Sequence, residues 1–193
     1  MKKKVLIIGL FFVFLLSLVT LNTPSVSAKQ FKYPNGKNAQ IGDVLVTSDA
    51  FANGFVGHTG IVTSSNQYME IAGYGKNPTI KNLDKWFSRK NKPTKVVRIN
   101  NKNKAELAGY WARMYPRNAK YKITKDLYDT QNTYCSKIVY QAYSIGSGVF
   151  YVYDKPRKEY IVPYSFLLKI FWPSEYNPKL VYSKGMSSHG DIK

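Results

Sequence analysis

Cys135 is the only cysteine in a chain of 193 residues. No internal disulfide can form, so the fold must be held by a buried apolar core rather than by covalent staples. That restriction matters because the N-terminus reads as an export signal. Lys2, Lys3 and Lys4 form a basic head, and an apolar run extends from Val5 to about Leu21. A polar stretch then ends in Val26-Ser27-Ala28, small residues of the type a signal peptidase reads. Cleavage near Ala28 is expected, giving a signal peptide over 1–28 and one domain over 29–193 that is secreted or held at the cell surface. The alternative is an uncleaved N-terminal membrane anchor, for which the apolar run is near the lower limit of length.

About 165 residues remain after cleavage, enough to bury a core. The whole chain carries a formal charge of +18, and loss of residues 1–28, with three lysines and no acids, lowers it to +15. A balance of this kind implies an acidic partner or surface. The lysines are scattered among tyrosines, with no compact basic helix and no nucleic-acid motif, so no nucleic acid is expected. A cell-wall polyanion or the anionic headgroups of a membrane suit an exported chain better.

Along the mature chain, Pro34-Asn35-Gly36 marks a turn and Ile41 to Thr47 reads as a strand with Asp43 at its start. A loop from Ser48 to Gly57 follows. Gly57 to Thr63 and Tyr68 to Ala72 then form two strands of a β-hairpin around a turn at Ser64 to Gln67. Gly73 to Pro78 reads as loop, Leu83 to Phe87 as a helical turn burying Trp86 and Phe87, and Lys95 to Ile99 as a strand. Asn103-Lys104-Ala105-Glu106 has the spacing of a helix N-cap, opening a helix that Pro116 stops. Arg117 to Gln131 is mostly loop. A second helix is predicted from about Tyr134 to Ile145, its apolar positions Ile138, Val139, Ala142 and Tyr143 at helical spacing. A short helix near Tyr164–Ile170 and a strand near Lys179–Tyr182 complete an α+β chain without internal repeats.

A thiol at a helix start can be a small buried hydrophobe or a nucleophile, and the second role needs a base. The chain has two histidines. His189 lies in the polar tail Ser187-Ser188-His189-Gly190, which reads as unstructured and remote from any site. His58 opens a predicted core strand between Gly57 and Gly60, where backbone or substrate can approach closely. With the hairpin turn near Ser65-Asn66, Glu70 falls nearly across from Ile61. The even separation of residues 58 and 70 lets their side chains share a face. A carboxylate there can hold the imidazole in one tautomer and stabilise its charged form. The N-terminus of the helix at Cys135 offers a field and free N–H groups that lower a thiol pKa and bind an oxyanion. Cys135, His58 and Glu70 thus describe a nucleophile, a base and an orienting acid. With one cysteine and two histidines no zinc site is evident, and no cofactor is needed.

The combination resembles the NlpC-type papain-like cysteine hydrolases, and within them the circularly permuted YiiX-like branch related to lecithin retinol acyltransferase. The residues that carry the resemblance are Ile41-Gly42-Asp43-Val44-Leu45-Val46, Gly57-His58-Thr59-Gly60-Ile61-Val62, Met69-Glu70 and Tyr134-Cys135-Ser136-Lys137-Ile138-Val139-Tyr140, with His58 preceding Cys135 as in the permuted order. The resemblance implies a papain-like fold with an antiparallel sheet packed against helices. It also implies a Cys135 nucleophile, a His58 base and a polar orienting residue at Glu70. Relatives carry a tyrosine upstream of the cysteine that helps bind the oxyanion. Tyr121, Tyr128 and Tyr134 compete for that role, and Tyr121 is favoured. Ordinary members place an acid before the cysteine, where this chain has Tyr134.

The leading expectation is a secreted cysteine hydrolase or acyltransferase that cleaves a peptide or lipid amide or ester bond through a thioester. Phe150, Tyr151, Tyr153, Phe171 and Trp172 either serve a lipid substrate or pack as core. The non-enzymatic alternative is a basic module of the same fold that binds an envelope polyanion or an anionic membrane.

Overall fold

The computed structural model describes residues 29–49, 57–89, 92–150 and 159–193. Residues 1–28 (read as a signal segment), the middle of the Ser48–Gly57 loop, and Tyr151 and Tyr153 lie outside them.

Apolar and β-branched residues build the strands β1 (Val44–Thr47), β2 (His58–Val62) and β3 (Gln67–Glu70), followed by β4 (Thr79–Asn82) and β5 (Thr94–Arg98). β6 (Lys120–Tyr121) and β7 (Asn132–Thr133) are short, and β8 (Lys179–Lys184) is last. The helices are α1 (Leu83–Phe87), α2 (Lys102–Arg113) and α3 (Cys135–Gln141), the last running on into a wider π turn over Ala142–Gly146. Six strands form an antiparallel sheet in the order β4-β3-β2-β1-β5-β8, and β6 and β7 pair parallel beside it.

The two-residue period of the strands divides the core between the two faces of the sheet. Val44, Val46, Ile61, Met69 and Val97 face the helical side and pack with Ala105, Ala108 and Ala112 of α2 and Ile138 and Val139 of α3. Leu45, Val62, Tyr68 and Val96 face the other way and are covered by Tyr33, Leu83, Trp86 and Tyr182. The α+β class and the antiparallel sheet packed on helices agree with the sequence reading.

Several local expectations are corrected. The first strand begins at Val44 because Gly42 takes a positive φ of 89° in the turn ahead of it. Asn101, not Asn103, caps α2, its side chain accepting from the Lys104 N–H at 3.1 Å. β4 occupies residues read as unassigned after the Gly73–Pro78 loop. β6 lies within the Arg117–Gln131 segment read as loop, and β7 follows that segment directly. The Tyr164–Ile170 helix is two 3-10 turns, Pro163–Leu167 and Lys169–Phe171. Phe87 is only half-buried, whereas Trp86 is fully covered. Phe150 and Trp172 are buried and Phe171 packs against them, so these three aromatics are core residues rather than a lipid surface. The C-terminal tail is packed as well: Met186 and Ile192 are buried, and the His189 ring lies 4.5 Å from that of Tyr164.

Candidate active site

The candidate site forms where the start of β2 meets the start of α3. Gly57 precedes β2 with φ +63°, a backbone that L side chains rarely adopt, and a Cβ there would lie 2.9 Å from the Tyr164 ring. His58 is the first residue of β2 and pairs with Thr47 of β1. The β2–β3 register sets Ile61 opposite Met69, not Glu70. Continuing it puts Glu70 across from Gly60, two residues from His58 on the same face. The register expected from the sequence was off by one, but the shared face holds. Gly60 lacks the side chain that would otherwise collide with the rings of Tyr68 and Trp86, at 2.9 and 3.3 Å from a built Cβ. Trp86 thereby comes down on His58, their rings stacked at 5.6 Å and 19°.

Glu70 Oε2 lies 2.7 Å from His58 Nε2, and Glu70 Oε1 accepts from Lys81 Nζ of β4 at 2.6 Å. A carboxylate at Nε2 calls for a proton on that nitrogen, which leaves Nδ1 to face the thiol. Cys135 opens α3 after the extended Tyr134 (φ −148°), so the N–H groups of the first turn have no partner within the helix. Cys135 lines one cleft together with His58 and Glu70, and its thiol is coupled electrostatically to the His58 ring and to Thr59 on β2. The Thr59 hydroxyl is buried with no hydrogen-bond partner of ordinary geometry among the described residues. Cys135, His58 and Glu70 are therefore assembled in one place.

The electrostatics of the three are mutual. Burial works against charge on His58, but hydrogen bonds to Cys135 and Glu70 and their negative charges outweigh it, lifting the imidazole to about 9. Burial would raise the Glu70 carboxyl; the bonds and charges of His58 and then Lys81 instead bring it down to about 2. Burial likewise opposes a thiolate at Cys135, and the bond and charge of His58, with Thr59, pull its pKa below the ordinary thiol value. A thiolate–imidazolium pair braced by a carboxylate is the arrangement these directions favour.

A cleft of about 690 Å³ opens over Cys135, walled by Tyr74, Tyr121, Ile123, Tyr134, Ile161 and Val162. Its walls are mostly apolar, and Cys135, His58 and Glu70 are among the polar residues that line it. Tyr121 lies in this cleft, and its phenol is pushed up by burial and by the charge of Cys135. Tyr134 also lines it, but its hydroxyl already accepts from the Ile161 N–H at 3.0 Å. Tyr128 is not among the lining residues. Lys137, fully buried in the first turn of α3, donates to Asn132 O at 2.7 Å and Thr124 Oγ1 at 3.1 Å, tying down the segment that carries Tyr121. A second cleft, of about 590 Å³ beside Arg98 and Lys102, is remote from the thiol. His189 is not part of the site. Among the described residues no cluster of His, Cys, Asp and Glu could hold a metal ion.

Sequence reasoning missed Lys81, Trp86 in its stacking role and Thr59. Thr59 could have been found from its place beside His58; Lys81 required knowledge of β4.

A sequence profile of the family described as lipoprotein N-acylation protein LnsA-like matches residues 3–183. That family is related to the lecithin retinol acyltransferase and NlpC-type fold, which supports the resemblance at that coarse level. The chain is also similar to an uncharacterized 30.3 kDa protein of Bacillus thuringiensis, 28% identical over 159 residues. The match takes in 76% of this chain and 58% of that relative, so the chain spans less than two thirds of the relative's length. No solved structure matches significantly.

Proposed function

Since the chain belongs to the LnsA-like family of lipoprotein N-acylation proteins, we propose that it is a cysteine acyltransferase of the cell envelope, exported by residues 1–28. It would take an acyl group from a lipid ester and pass it to an amine. Family membership implies acyl-transfer or hydrolase-like chemistry. The observation that carries the finer reading is that Cys135 and a hydrogen-bonded His58–Glu70 pair line one mostly apolar cleft.

The Cys135 thiolate attacks the ester carbonyl, forming the C–S bond and a tetrahedral oxyanion. In this reading the N–H of Cys135 and the Tyr121 phenol donate to that oxygen. Collapse breaks the C–O bond, and the departing alkoxide takes the proton held by His58, leaving an acyl thioester on Cys135 and a neutral imidazole. An amine then attacks the thioester and gives its proton to His58, and the C–S bond breaks to return the thiolate. Glu70 holds the ring through both steps, and Lys81 holds Glu70. Water as acceptor would make the same thioester the intermediate of a hydrolase.

The test is to incubate the protein with a lipid carrying a radiolabelled acyl chain and quench with acid. A hydroxylamine-labile label on Cys135, absent from Cys135→Ala and His58→Ala, is expected. Acyl release of wild-type rate from Cys135→Ala would overturn the reading.

A further inference from the structure

The rim of the cleft is unlike its floor. Tyr74, Ile123, Tyr160 and Val162 line the opening, yet each is at least half exposed, and Tyr74 is 91% exposed. Such apolar side chains ringing one cavity mouth differ from apolar residues scattered singly over a surface. Lysines stand among them. Lys76 lines the same mouth, and Lys125 Nζ sits 5.4 Å from the Tyr160 ring. Of the acids in the lining, Asp49 is paired with Arg89 and Glu70 with His58 and Lys81, so neither opposes an anionic surface. The formal charge, +18 for the whole chain and +15 without residues 1–28, adds a long-range attraction of the same sign.

We propose that this rim is a membrane-docking surface: Tyr74, Ile123, Tyr160 and Val162 enter the headgroup–acyl boundary of an anionic bilayer, while Lys76 and Lys125 meet lipid phosphates. Tyrosine and apolar side chains flanked by lysine are the composition that boundary favours. Docking in this orientation seats the cleft mouth on the bilayer, so an acyl chain passes from lipid to protein without crossing water. The proposal deepens the acyl-transfer reading by naming a bilayer, rather than dispersed lipid, as the source of substrate. The docking itself needs no turnover.

The experiment uses the full-length chain carrying Cys135→Ala together with one reporter, Tyr74→Trp, Ile123→Trp or, as a control remote from the cleft, Met114→Trp (Met114 is 82% exposed). Each is mixed with vesicles of equimolar phosphatidylglycerol and phosphatidylcholine whose acyl chains are brominated near the headgroup, and tryptophan quenching is compared with the parent chain. Quenching at residues 74 and 123 well above that at 114 is expected. Lys76→Gln and Lys125→Gln should each weaken vesicle binding about fivefold, with less effect at high salt. Equal quenching at all three positions would overturn the proposal, as would no quenching at 74 and 123. Self-association without quenching would assign the rim to a second copy and overturn it too. Because the reporters are read in a chain without the thiol, failure of the thioester chemistry leaves this result standing. Failure of docking leaves the thioester test untouched.

Discussion

Glu70 is a carboxylate almost withdrawn from water, its side chain 8% exposed, and it keeps its charge because His58 and Lys81 each engage one oxygen. Its folded pKa, about 2, lies below the ordinary 4.5, so the stabilisation it brings is complete above about pH 4.5 and is lost as pH falls through about 2. Glu70→Gln is expected to lower stability at pH 7 by ~1–3 kcal/mol in urea denaturation. The gap to wild type should close between about pH 4.5 and 2, and a gap that stays constant over that range would contradict the charge-based account. Lys81→Met should have a smaller effect because the lysine is 40% exposed and screened by solvent. Cys135, His58 and Glu70 were legible because a lone thiol, a histidine between glycines and a carboxylate in an apolar strand each break their local pattern. Lys81 was not. One lysine among the twenty-six lysines and arginines that follow residue 28 carries no mark of its own.

The elements explain why. β4 reads Thr79-Ile80-Lys81-Asn82, with a single apolar residue, and lies at the sheet edge, where one side needs no burial. Its alternation therefore had nothing to show, although it completes the surroundings of Glu70. The hairpin before it was legible through its turn residues and apolar runs, yet its register moved by one because turn geometry, not pattern, fixes pairing. The α2 cap shifted by two residues because Asn101 and Asn103 are the same residue type and only backbone geometry chooses between them. At Gly60, by contrast, packing decides. An added methyl would gain ~0.4–1 kcal/mol through the unfolded chain. It would meet Tyr68 at 2.9 Å and the Met69 carbonyl at 3.1 Å, which costs ~1–3 kcal/mol of overpacking. Gly60→Ala is expected to be destabilised on balance, measured by thermal melting. A rise in melting temperature would mean that Tyr68 and Trp86 are freer to move than their packing implies.

Across the whole molecule, one sheet with apolar residues on both faces supplies the core that a chain without disulfides needs. Its organisation also sets the chemistry. The helical face presents the N-terminus of α3 to the sheet, while the opposite face carries Trp86 onto His58, so Cys135 and His58 arrive from different layers and meet at the end of β2. The buried Asp43 helps hold β1 to β5 by accepting twice from Arg98, at 2.6 and 2.7 Å, and once from Tyr33. That network lies apart from the cleft and belongs to the fold. Composition and hydropathy pattern made the α+β class legible, but the apolar cleft was not, since its walls come from four separate segments.

The central claim is that His58 activates Cys135, and the rate of Cys135 alkylation by iodoacetamide from about pH 6 to 9 tests it most directly, with the modified residue identified by mass spectrometry. Wild type should react readily near neutral pH, its midpoint well below the usual thiol value of about 8.5. His58→Ala should move that midpoint upward and slow the reaction near pH 7 by at least about tenfold. Equal rates and equal midpoints for the two folded proteins would contradict it.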